Sequence, residues 1–225
     1  MAEGVRLFAE AAKVFELFDP PTARQTLAAA LYLAIWSGDL HGKFGIQFAA
    51  TAVASAPAPA GPVRPVDRVI EAFASRYTDG PDISAPLFTM AVKAFLDADA
   101  DADSGSGLIG QWYWLIQSRV SWMLALETWD AGNWLDLATR QVEVARQLGA
   151  ALHVKHGLNN LVCAAALMGD LAAAEDFADE ARLIADVTGT PRLQYAEMVL
   201  AACGSWNLPR GVRVPLSRSV PSGHQ

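Results

Sequence analysis

The sequence predicts an all-α fold: tetratricopeptide-like antiparallel helical hairpins stacked as an α-solenoid over residues 1–203, then a disordered basic tail over 204–225. Three observations predict it. Apolar residues recur at helical spacing in successive segments. A glycine followed by Asp or Asn separates segments at Gly38-Asp39, Gly132-Asn133 and Gly169-Asp170, with a looser copy at Thr78-Asp79-Gly80. Alanine crowds the segments beside these pairs. Glycine reaches positive φ freely and an Asx side chain bonds nearby backbone amides, so each pair suits a tight turn between antiparallel helices. The glycines at 38, 80, 132 and 169 stand 42, 52 and 37 residues apart, less regular than a ~34-residue tetratricopeptide period, so the repeats are read as degenerate. Each hairpin leaves an apolar face that only a neighbour covers, and the repeats are expected to stand or fall together.

Taken in order, the N-terminal stretch "MAEGVRLFAEAAKVFELFD" interleaves Glu3, Glu10 and Glu16 with apolar residues, unlike a secretory signal. "AAALYLAIW" (28–36) is too short to span a membrane, which needs about 20 apolar residues. The chain therefore reads as cytoplasmic. "WSGDLHGKFG" (36–45) has the look of a phosphate loop but fails twice: three residues rather than four separate Gly38 from Gly42, and Phe44, not Ser or Thr, follows Lys43. Its Gly-Asp is repeat punctuation instead. Prolines at 57, 59, 62 and 65 mark a linker over about 54–65. A second linker over about 97–107, "DADADADSGSG", alternates carboxylates, yet an EF-hand loop started at Asp99 would have Ser104 and Gly110 where Gly and Glu are required, so it reads as a solvated acidic loop.

Two helices are legible in detail. After Gly132, Leu135, Ala138, Val142 and Ala145 make one apolar stripe. After Gly169, Ala174, Phe177, Ala178, Ala181, Ile184 and Ala185 make another, with polar residues opposite. Gly149 and Gly189 sit where C-terminal glycines are expected, and Thr190-Pro191 reads as an N-cap followed by Pro at the first helical position. From Gly204 the alanine-rich pattern stops. Arg210, Arg213 and Arg218 occur there without an acid, so the body before them holds 14 bases against 24 acids, a net −10. That balance argues against direct nucleic-acid binding, whose footprint is a basic patch.

No constellation for chemistry emerges, so no catalytic, cofactor-binding or metal residue is assigned and no cofactor is expected. His153 and His156, at i and i+3, lack a third ligand at metal spacing. Cys163 and Cys203 lie in apolar contexts where buried free thiols are expected. No nucleophile elbow, zinc-protease pair, Cys-x-x-Cys or dinucleotide fingerprint occurs. Five of the seven tryptophans fall between 112 and 134: Trp112, Trp114, Trp122, Trp129 and Trp134. Their expected role is packing between stacked helices, with a partner groove as the alternative.

The segment from Trp112 onward carries a resemblance. Trp129-Asp130, Trp134, Arg140-Gln141-Val142, Ala145-Arg146, Leu158-Asn159, Gly169-Asp170, Ala173-Ala174-Glu175, Glu180-Ala181, Thr188-Gly189, Pro191 and Tyr195-Ala196-Glu197 follow an order that resembles the helical-repeat region of large actinobacterial LuxR-type transcriptional regulators, across about residues 8 to 202. In that family a P-loop ATPase module precedes the repeats and a helix-turn-helix module follows; neither is matched here, and at Cys203-Gly204-Ser205 the chain departs from the pattern. The resemblance implies a sensor or interaction region, not an enzyme, that binds a protein partner or small-molecule inducer, and a truncated or frame-disrupted product without ATPase or DNA-binding activity. A free-standing protein-interaction scaffold is the alternative, and an all-α enzyme using unidentified buried carboxylates a weaker third.

Overall fold

In the computed structural model, residues 2–58, 61–97 and 123–204 are described, and among them all regular structure is helical, with no strand. The order is α1 (Ala2–Phe15), α2 (Pro20–Ser37), a 3-10 helix (Gly38–Phe44), α3 (Ile46–Ser55), α4 (Pro65–Thr78) and α5 (Pro81–Asp97). A helical stretch over 123–128 leads into α6 (Ala131–Gln147), α7 (Ala151–Leu167), α8 (Leu171–Thr188) and α9 (Gln194–Gly204). Helices pack in neighbouring pairs. The broadest contacts join α1 to α2, α4 to α5, α6 to α7 and α7 to α8, while α2 also reaches α4 and α9 lies on α7 as well as on α8.

The turns show why the chain folds back where it does. α7 ends at Leu167 with Met168 as its C-cap, Gly169 takes φ 80°, and Asp170 caps α8 by accepting the Ala173 backbone N–H at 3.1 Å. The Gly-Asp pair is thus a stop signal followed by a start signal, the glycine supplying positive φ and the carboxylate an acceptor for an orphan helix amide. Gly80, at φ 99° between α4 and α5, also turns the chain as expected. Gly38 has φ 55°, but a 3-10 helix rather than a direct helical return follows it.

Two expectations about turns are corrected. Gly132-Asn133 lies inside α6, and the turn sits three residues earlier: Trp129 takes φ 50° and Asp130 is the N-cap, accepting from Asn133 N at 2.9 Å. The Asx acceptor decides the start, since Asp130 has its partner amide three residues on. Thr190-Pro191 does not open a helix either, because α9 begins at Gln194. Both residues are held otherwise: the buried Lys155 donates from Nζ to Thr190 Oγ1 at 2.7 Å and to the Pro191 carbonyl at 2.9 Å. With Trp129 in place of Gly132, positive φ falls at Trp129, Gly149, Gly169 and Gly189, every twentieth residue. The C-terminal half is therefore regular where the glycines alone suggested 37.

The expected stripes are the packed ones. Ala138, Val142 and Ala145 on α6 and Ala174, Ala178 and Ala185 on α8 are buried, with Leu135, Phe177, Ala181 and Ile184 partly buried against the core. One core runs from Val5 on α1 to Ala164 on α7, anchored by Leu31, Ile70, Phe73, Phe88, Leu137 and Leu158. Phe73 and Phe88 meet edge to face with centroids 4.9 Å apart, joining α4 to α5. A smaller cluster of Val162, Ala165, Ala166, Ala174, Ala178 and Ala196 continues it beneath α9. The first linker is shorter than expected, since α3 runs to Ser55 and α4 starts at Pro65. Beyond Asp97 the second linker lies outside the described residues, as do Trp112, Trp114, Trp122 and the tail after Gly204.

Candidate functional site

The candidate site is an apolar cleft between α2 and α4. Ala28, Leu31, Tyr32 and Ile35, one helical stripe of α2, face Val69, Ile70 and Phe73 of α4, and Met123 closes one side. The space in it that a water-sized sphere can occupy is about 10 Å³, room for about one water and far below the ~300–1,000 Å³ of most small-molecule sites. Among the described residues, the only ionisable group in this lining is the Tyr32 phenol. The cleft has room for little more than a water or the tip of an apolar side chain, and among the described residues its lining presents no acid–base pair.

Charged groups gather instead where they tie helices together. The buried Arg24 of α2 donates from Nε to Asp67 Oδ1 at 2.7 Å, from Nη1 to the Pro57 carbonyl at 3.1 Å and from Nη2 to Glu71 Oε1 at 3.1 Å. Asp67, fully buried on α4, also accepts from the Arg64 backbone N–H at 3.0 Å and from its guanidinium at 3.0 and 3.1 Å. Burial pushes the Asp67 pKa up, but the hydrogen bonds from Arg64 and Arg24 outweigh it and hold the carboxyl below its ordinary value. The cluster clamps the proline linker onto α2 and α4. Its carboxylate and guanidinium face each other rather than a ligand.

The C-terminal helices are tied in the same manner. Arg146 Nη2 donates to Glu180 at 2.7 Å, joining α6 to α8. Arg182 Nε and Nη2 donate to Glu197 at 2.5 and 2.8 Å, joining α8 to α9, and Arg182 also pairs with Asp179. These hydrogen bonds, led by the one from Arg182, hold the Glu197 carboxyl below its usual range. Asn159 Oδ1 accepts the Ala196 backbone N–H at 3.0 Å, so a side chain of α7 caps the start of α9. Asn160 Nδ2 donates to the buried Gln141 at 3.3 Å across α6 and α7.

His153 and His156 both lie on α7, and among the described residues no three His, Cys, Asp or Glu side chains gather as a metal site requires. Burial pushes the Cys163 thiol up to about 11, whereas Cys203 is only half-buried. The two described C-terminal tryptophans divide: Trp134 is core, its Nε1 among the buried groups without a hydrogen-bond partner, while Trp129 is 90 % exposed. No described helix is long and apolar enough to cross a membrane. Lys155 and Arg24 were not legible as buried groups, since nothing local in sequence marks their partners 35 and 43 residues away. Asp67 carried a weak signal, an acid at the third position after the start of a proline-led helix. A scan of protein-family models finds no match to the chain, and searches of curated proteins and of solved structures find none either.

Proposed function

We propose that the chain is the helical-repeat sensor region of a LuxR-type transcriptional regulator: a cytoplasmic, tetratricopeptide-like α-solenoid that binds a protein partner or small-molecule inducer and leaves ATP hydrolysis and DNA reading to other modules. One observation carries the reading. Several of the positions that bear the resemblance lie at joints between helices: Asp130 and Asp170 as caps, Gly189 as a left-handed stop, Gln141 and Trp134 in the core, Arg146 with Glu180, Asn159 with Ala196, and Glu197 with Arg182. Contacts between helices one and two apart in order support a stack of hairpins.

The test reads the genomic DNA on both sides of the coding sequence in all three frames. Helix-turn-helix and P-loop coding sequence alongside supports the regulator and identifies the chain as a truncated or frame-disrupted product. Its absence sinks that reading in favour of a free-standing interaction scaffold.

A further inference from the structure

We propose that α1 is a self-association surface on which a second copy of this chain packs antiparallel. Most surface helices bury one apolar stripe and solvate the rest. On α1, Val5, Ala9 and Ala12 form the buried stripe, against the core. Arg6 sits between Glu3 and Glu10, at 2.8 and 2.6 Å, and makes a narrow charged edge. Leu7, Ala11 and Val14, at i, i+4 and i+7, form a second stripe on the far side of that edge. Phe18 extends it from the following turn, held against Phe15 edge to face at 5.5 Å.

This second face is open. Leu7 is 50 % exposed, Val14 57 %, Phe18 68 % and Leu17 85 %, with Phe8 exposed beside them. Together these five side chains present on the order of 500 Å² of apolar surface, at the upper end of the ~300–600 Å² that a typical monomer's largest patch shows. Two such patches facing each other bury about 1,000 Å², the area at which a specific interface begins. A second copy supplies an equal apolar patch by symmetry.

The register follows from the side chains. A two-fold axis through Ala11, the smallest residue of the stripe, lets the helices approach and sets Leu7 opposite Phe15 and Phe8 opposite Val14 of the second copy. Glu10 then lies one position from Lys13 of the second copy along the shared edge. Lys13 makes no ion pair among the described residues, so opposite charges flank the apolar seam.

The experiment is light scattering of the full chain across micromolar to tens of micromolar concentrations, with Val14→Glu and Leu7→Glu alongside. The expected result is a concentration-dependent dimer that each variant weakens roughly a hundredfold, because each glutamate places an unpaired charge in the apolar seam. Both side chains are exposed, so helical circular dichroism should not change. Should either variant lose helicity, Ala11→Cys in a Cys203→Ser background decides: oxidation should link two chains through position 11. A wild-type monomer throughout, a dimer indifferent to the glutamates, or no link at position 11 in a chain that does dimerise would each overturn the proposal.

Discussion

Asp67 shows how one carboxylate can hold three segments. It is fully buried, yet both oxygens are occupied by Arg24, by Arg64 and by a backbone amide, and Arg24 carries the link on to the Pro57 carbonyl. Removing one partner of a buried pair leaves the other charge uncompensated, a loss of about 3–5 kcal/mol. Because the folded-state pKa is lowered, the ionised carboxylate contributes stability that is complete above the unfolded value near 3.9 and is lost as pH falls through the folded value. Asp67→Asn should therefore be less stable at neutral pH and lose part of the wild type's decline below about pH 4. Urea midpoints for both proteins from pH 7 to pH 3 check this, and parallel curves would show that Asp67 is not the titrating group.

Among the described glycines, the tightest approach of a neighbouring helix lies where α6 crosses α7. A Cβ added to Gly157 would come within 2.6 Å of Val142 Cγ2. Val142 is buried and β-branched, so its side chain cannot swing aside. Two effects oppose each other in Gly157→Ala: a gain of up to ~1 kcal/mol in helix propensity and an overpacking penalty of about 1–3 kcal/mol. Overpacking should win, with a net loss of about 1 kcal/mol, and Val142→Ala added to Gly157→Ala should recover more stability than Val142→Ala costs the wild type. Thermal unfolding of the four proteins measures the coupling; additive effects would refute the contact. Gly157 was not singled out in the sequence because nothing local distinguishes a glycine that admits a neighbour from one that turns the chain. The stripes of α6 and α8 and the caps at Gly149, Asp170 and Gly189 were legible, since each depends on residues within one or two turns. Trp129 was not, because a bulky residue at positive φ runs against the rule used to find turns. The partners of Arg24, Lys155 and Asn159 depend on tertiary packing, as does the cleft between α2 and α4.

Across the whole molecule the packing is graded along the chain. The main core between α1 and α7 mixes Leu, Ile, Val and Phe side chains with alanine, whereas the cluster beneath α8 and α9 is mostly alanine. Burying a large aliphatic or aromatic side chain contributes ~1.5–3 kcal/mol against ~0.8 kcal/mol per methylene-sized group, so the C-terminal end gains least from each contact. Polar ties partly compensate: Lys155 to Thr190 and Pro191, Asn159 to Ala196, and Arg182 to Glu197. Each helix is stabilised mainly by those packed on it, and the contacts of α9 with α7 and α8 are narrower than those of α7 with α6. Repeats that stand or fall together are therefore expected only for the main core, with α8 and α9 opening at lower free energy. Native-state hydrogen exchange should show amides of α9, then α8, exchanging before those of α4 and α5. Ala178→Gly should speed exchange in α8 and α9 alone, whereas Phe73→Ala, at about 3–5 kcal/mol, should lower protection throughout. Equal protection from α4 to α9, falling together in both variants, would instead mean one cooperative unit in which the polar ties offset the thin apolar packing.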